Sequence, residues 1–528
     1  MRKKSILLII LIFSCSFLVF GVNTIGREGF KNLKVSQVFP NEPEISNITV
    51  ISDGYEGEYW NQDKSTRPSI AMDSDGNIHS VWEDYTSGEW GSPPEIMYTN
   101  YSRSNDISNA TVISNNYDLT AINNEDFRPS ITIDTNNVIH VVWWGNPNGP
   151  WRYSSSDYEI LYVNYTQNNG WSNITIISDD STNWNTDSSA DPDIISDSNG
   201  NLHVVWKDRT SGPWQDSGSD SEIMYINYTH NKGWSNITVI SDGYQNEYWN
   251  NGNSEFPSIG IDGNDNLFVA WQDGTDGVWG TDTEIMIVNR TFDNGWSNVT
   301  VISDGYQGEF WNDGESLGVS IDVDNDGGVY AAWQDETNGT WGTDTEIMYA
   351  SYTETTGWSN GTVISDGYLG EYWNNGDSTH VSLDVDVDKR IHMAWQDITD
   401  GPWRVSPTDS EIMYTTYKEF IGWSNVSIIS DGYEGEYWNN LDSREPSIVA
   451  DNQGDFHVIW EDKSSGPWLA DSGDSEILYV FGDFAPLVSD NGDEDDPIIP
   501  FGSTFLIFMG IGIITILLYY KLKQKPNY

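Results

Sequence analysis

The chain has 528 residues, with 24 Lys and Arg against 81 Asp and Glu and a formal charge of −57. So few cations exclude a nucleic-acid surface, which needs clustered Lys and Arg to neutralise phosphates. The single cysteine, Cys15, leaves no intrachain disulfide, and 26 Trp with 28 Tyr in regular apolar alternation argue against disorder.

In chain order, Met1-Arg2-Lys3-Lys4 leads into an apolar run, so residues 1–22 read as a signal peptide or signal anchor and 23–44 as a linker. From Ile45 the sequence repeats. The block Ile51-Ser52-Asp53-Gly54-Tyr55 returns at Ile240, Ile302, Ile364 and Ile429, with weaker copies at Ile113 and Ile177, giving seven units of 61–65 residues. A period of this length sets the architecture, because one unit cannot bury its apolar faces without neighbours. In the unit from Asn236, strands are predicted at Ile237–Ser241, Pro257–Asp262, Asn266–Trp271 and Glu284–Asn289, separated by Gly- and Asn-rich loops. Four short strands per unit predict an all-β, seven-bladed β-propeller over 45–484. The last unit stops after Glu476–Phe481 without an outermost strand, while a surplus run, Ile45–Ser52, stands at the start. That spare strand is expected to complete the seventh blade and close the ring, leaving no open edge.

Within the array, several residue types recur too often to form one site. His79, His140, His203, His392 and His457 share a slot that holds Phe268 and Tyr330 in the other units, which reads as packing by a planar ring. A Trp recurs in every unit, with Asp two residues on in six of them and a Glu opening the third strand in all seven. These carboxylates read as hydrogen-bond acceptors for the long loops between them. Asp322-Val323-Asp324-Asn325-Asp326-Gly327 has the spacing of the start of a calcium loop, making Asp322, Asp324 and Asp326 candidate ligands and calcium the candidate cofactor. Its twelfth position is Trp333, where an EF-hand places a Glu. Asn-X-Ser/Thr precedes the outermost strand at Asn47, Asn109, Asn173, Asn236, Asn298, Asn360 and Asn425, candidate glycosylation sites on the outer rim.

Beyond the array, 485–500 is an acidic linker and 501–520 is uncharged and long enough to cross a bilayer as one helix. The basic tail, 521–528, is placed in the cytoplasm by the positive-inside rule, with the propeller outside. The expectation is a single-pass cell-membrane protein whose propeller is extracellular. This end resembles the C-terminal anchors of archaeal surface proteins.

The recurring pattern Pro-Ser-Ile-x-x-Asp-x-x-Gly-Asn-x-His-Val-x-Trp resembles the sialidase-like, Asp-box class of propellers. For catalytic members that resemblance implies three arginines on a carboxylate, a Tyr–Glu nucleophile pair and an acid/base Asp. Phe127-Arg128-Pro129 resembles the first arginine motif, yet Arg67 and Phe256 occupy the same slot in other units, and no arginine triad assembles. The expected function is therefore a non-catalytic recognition or adhesion module binding a glycan or surface protein. The alternatives are a sialidase-like glycoside hydrolase and a calcium-rigidified envelope protein. The site is expected where the repeat fails, in the second and third units, at Arg128, Trp144, Trp151, Arg152, Tyr153, Lys207 and Arg209.

Overall fold

A computed structural model describes residues 43–484 apart from segments 53–60, 62, 87–93, 103–106, 115–126, 147–157, 180–184, 213–219, 243–249, 292, 305–311, 340, 367–373, 400–408, 431–438, 440 and 465–473. The expected signal segment, acidic linker, membrane helix and tail lie outside these residues, as do Trp151, Arg152 and Tyr153. Among the described residues no helix is long and apolar enough to cross a membrane.

β-Branched and aromatic residues alternate through each unit and form a four-stranded antiparallel meander, seven times over. In the fourth blade the inner strand is Ser254–Ile261, followed by Leu267–Asp273 and Glu284–Thr291. The outermost strand is two short pieces, Gly295–Trp296 and Thr300–Val301, both paired with Glu284–Thr291. The candidate sequon Asn298 falls in the gap between them, and all seven such asparagines are exposed.

The second strand shows why the array reads as a continuous apolar run. Leu267, Val269 and Trp271 pack against Val205, Ile223 and Tyr225 of the third blade. Phe268 and Ala270, on the opposite face, pack with Ile321, Val329 and Trp333 of the fifth. Each blade thus buries both faces between neighbours, so the propeller has seven inter-blade cores rather than one centre.

The ring closes as expected. Glu44–Ile45 and Thr49–Val50 pair with Glu476–Asp483, Ile45 lying opposite Gly482 and Thr49 opposite Tyr479. Ile51 N–H donates to Ile477 C=O at 2.9 Å. The inner strands of consecutive blades touch all the way round, including first against seventh, and so enclose one central axis.

One detail departs from the sequence reading. Pro257 does not open its strand: pairing starts at Ser254, and the register shifts between Glu255 and Ser258. Five other blades shift at the same place. In four of these six blades the bulge accommodates a proline, which has no N–H for the ladder, and in the fifth and sixth the same place holds Val319 and Val381. The residue before it lies in the left-handed region in each case, as at Phe256 (φ 51°) and His380 (φ 53°).

Candidate functional site

Most conspicuous polar residues turn out to hold the blades together. The Asp two residues past the repeated Trp accepts from that indole N–H at 2.7–3.2 Å in six blades. Asp273, for example, also takes Asn250 Nδ2 at 3.0 Å, Ser254 Oγ at 2.8 Å and Thr275 N–H at 2.9 Å. The Glu that opens the third strand accepts from a serine hydroxyl of the next unit in all seven blades. In the second blade Gly145 replaces the Asp, and the buried Trp143 indole N–H is left without a partner.

The repeated histidines are more than planar filler. Nδ1 of each meets a Tyr hydroxyl of the third strand at 2.7–2.9 Å. Where Phe268 replaces His, the Tyr position is Ile287, and a cavity of about 290 Å³ opens beside them. Where Tyr330 replaces it, its hydroxyl donates directly to Asp324 at 2.9 Å. In the fourth blade hydroxyl and ring nitrogen are lost together, whereas the fifth keeps Tyr349 and loses the imidazole.

The candidate calcium residues do not converge. Asp322 is half-buried on an inner strand, accepting from Val323 and Val385 N–H at 2.7 and 2.9 Å. Burial, followed by the adjoining Asp384 carboxylate, raises its pKa well above the usual range. Asp324 Oδ2 and Asp326 Oδ2 are instead bridged by the Lys389 ammonium at 2.9 and 2.7 Å. Among the described residues no group of three or more His, Cys, Asp or Glu side chains is arranged to hold a metal ion.

What does not repeat is the side chain on the bulge. Its slot holds Arg67, Arg128, Asp191, Phe256, Gly318, His380 and Glu445 in blade order. All seven have left-handed backbones, with φ from 38° to 59°. Non-glycine residues hold such angles only where surrounding structure imposes them, and they gather at functional sites. Here they ring one axial cavity of about 500 Å³, floored by serines and by Asp193. Gln272 and Gln334 brace the ring from neighbouring blades, their side-chain oxygens accepting from Gly318 and His380 N–H at 3.0 and 3.3 Å.

Two cation clusters face each other across this cavity. On one side Asp191 forms ion pairs with Arg128 Nε at 3.3 Å and Lys207 Nζ at 3.0 Å, and both cations lie over the Phe256 ring, 5.0 and 5.3 Å from its centre. On the other, Arg67 Nη1 donates to Glu445 Oε1 at 2.9 Å, and His380 Nε2 stands 3.9 Å from the same oxygen. His380 is 46% exposed, its ring open to the cavity. Burial lowers the His380 pKa, Glu445 opposes this, and Arg128, Arg67 and Arg444 add to it. The imidazole is therefore biased toward its neutral, proton-accepting form.

Of the residues expected from the failing repeats, Arg128 and Lys207 meet here. Trp144 does not: its ring packs edge-on against Phe127 and Tyr158, with centroids 6.3 and 5.0 Å away. Arg209 is exposed and is not among the lining residues. Sequence reasoning missed Arg67, Asp191, Phe256, His380 and Glu445. The available signal was the bulge slot, which changes chemistry in nearly every unit while the residue after it is always Pro or Val.

No protein-family model matches the chain, and no curated protein does. Among solved structures, it is similar to a PL25 ulvan lyase bound to GlcA(1-4)Rha3S, with 10% identity over 79% of this chain and 96% of that one, at a TM-score of 0.50. The α-L-arabinanase of Penicillium chrysogenum aligns at a TM-score of 0.42 with 10% identity, covering 83% and 98% of the two chains. The GH93 α-L-arabinofuranosidase of Fusarium graminearum aligns at 0.40 with 13% identity, covering 74% and 99%. Likeness at this identity establishes the propeller frame and no substrate. It does correct one expectation. A non-catalytic recognition or adhesion module, and with it the lean away from an enzyme, followed from finding only repeated groups. The matching frame is one that carries a polysaccharide lyase, and the bulge ring supplies the unrepeated groups.

Proposed function

We propose that this protein is a glycan-processing enzyme whose active centre is the axial mouth, and that it cleaves an acidic polysaccharide by elimination. The observation that carries this reading is the bulge ring: seven left-handed positions, six of them strained non-glycine residues, converge on one cavity and hold a varied set of cations, carboxylates and a histidine. Elimination next to a sugar carboxylate needs donors to hold that carboxylate and a neutral base for the adjacent proton. Arg128 and Arg67 line the cavity and supply the donors, a guanidinium carrying five N–H groups. Nδ1 of His380 lies 3.1 Å from Thr379 Oγ1, and the tautomer that donates its Nδ1 hydrogen there has the lone pair on Nε2 that the reaction needs. Nε2 takes the proton from the carbon beside the carboxylate, and that C–H electron pair becomes the new C=C bond. The C–O bond to the leaving sugar breaks, its oxygen taking a proton from water. Hydrolysis fits less well: Asp191 and Glu445 are committed as acceptors to cations, so neither presents the proton a glycosidase acid donates.

The test incubates the purified protein with polyuronates, a sialoside and a neutral arabinan, following the ultraviolet absorbance of the new double bond and the release of reducing ends. Absorbance with polyuronates alone is expected. His380→Asn should lower kcat by about 10²–10⁴-fold, the usual share of a general base, while Arg128→Ala should act mainly on KM. Reducing ends without absorbance would point to hydrolysis, with sialic acid release indicating the sialidase-like chemistry. Silence on every glycan would remove the enzyme reading.

A further inference from the structure

Five large apolar side chains are exposed among the described residues, and three of them sit at one edge of the sixth blade: Val387 (54%), Phe420 (97%) and Ile421 (57%). Phe420 and Ile421 form the tip of the hairpin between Glu411–Lys418 and Gly422–Trp423. The equivalent tips of other blades are Asn168-Asn169, Asn231-Lys232, Asp293-Asn294 and Thr355-Thr356, all polar. Phe420 also has a left-handed backbone (φ 67°), which none of those counterparts shows. An exposed ring in a disfavoured conformation gains nothing from the propeller itself. Lys418, Lys389 and Arg390 lie around it together with Glu419, Lys418 paired with Asp388 at 3.5 Å and Lys389 with Asp324 and Asp326 at 2.9 and 2.7 Å.

The same edge is where the chain leaves the propeller. The Phe484 ring, at the last described residue, lies 4.2 Å from Arg390 Cζ, and its N–H donates to Asp455 at 3.3 Å. Sixteen residues, 485–500, lie between it and the uncharged run 501–520, so this edge is the part of the propeller to which that run is joined. The axial mouth is at the other end of the strands, beside the bulges rather than beside the turns that follow the inner strands.

We propose that the apolar tip Val387, Phe420 and Ile421, with Lys389, Arg390 and Lys418 around it, dips into a lipid bilayer interface and holds the propeller with its axial mouth facing away from the membrane. Aromatic and aliphatic side chains enter the acyl boundary while Lys and Arg stay at the headgroups. This rests on reading 501–520 as a membrane anchor, and not on the proposed enzymatic reading, so a failed activity assay leaves it standing.

The experiment reconstitutes the full chain in phosphatidylcholine–phosphatidylglycerol vesicles, with Cys15→Ser and a single new cysteine carrying an environment-sensitive fluorophore. Phe420→Cys is compared with Thr355→Cys, the matching tip of the fifth blade. Both are fully exposed turns, so neither change threatens folding. A lipid-borne quencher is expected to reduce emission at least two-fold more at position 420 than at 355. Equal quenching at the two positions, or none at 420, would overturn the proposal. So would protection of 420 from a water-borne quencher in detergent through self-association of the chain, which would make the patch a contact between copies.

Discussion

At the scale of single residues, identity at the bulge decides chemistry while its conformation is shared. A residue placed there lines the axial cavity with a left-handed backbone that goes with the register shift, whether proline follows it, as at Phe256, or valine, as at His380. His380 shows the consequence. Its lowered pKa predicts that the acid limb of the kcat/KM profile lies below the ordinary imidazole value of about 6.5. Glu445 works in the opposite direction, so Glu445→Gln should move that limb further to acid. A pH–rate series on both proteins checks this, and a limb above neutrality in the parent would remove His380 as the base. The slot was visible in the sequence at Arg67, Arg128 and Phe256. Its variation looked like noise in the repeat, because nothing along the chain says that these seven positions face one another.

At the scale of the blade, buried carboxyls set the pH range of the fold. Burial, only partly offset by a serine hydroxyl, pushes Glu222 and Glu284 up to about 9, Glu346 to about 8 and Glu95 to about 7. An unfolded chain releases these protons near pH 4.5, so their contribution to stability is full below that and is lost as pH rises toward 9. At the turns the sign reverses. Burial opposes ionisation of Asp134 and Asp197, but His140 and His203 with nearby backbone N–H groups outweigh it and hold both at about 2. Their contribution is present above about pH 4 and lost below. Melting temperature should therefore peak in mildly acidic buffer. Glu284→Gln should add about 1–3 kcal/mol near pH 8 and almost nothing near pH 5, because the amide needs no proton to be neutral. A gain that does not depend on pH would show that the carboxyl is not held protonated. The recurring Glu was legible as structural from its seven copies, whereas its burial depended on the packing of neighbouring blades.

At the scale of the molecule, closure is the property on which the others depend. The strand that seals the seventh blade comes from more than 400 residues away, with Ser52 Oγ donating to Glu476 Oε2. Removing residues through Ser52 should expose the edge of Glu476–Asp483, lower the unfolding midpoint and promote aggregation, which calorimetry and light scattering would register. An unchanged midpoint would mean the ring holds without its clasp. By itself the sequence determined the seven units, their antiparallel strands, the closing segment and the exposed rim, because periodicity and turn chemistry are local and each is repeated several times. Only the tertiary structure decided the site. Ring closure gathers residues one to five repeats apart, such as Arg67, Arg128 and His380, around a single axis. The same geometry sends Trp144, close to Arg128 in the chain, into an inter-blade core. Sequence distance and spatial distance are unrelated across a closed ring, so chemistry assembled from one residue per blade has no signature along the chain.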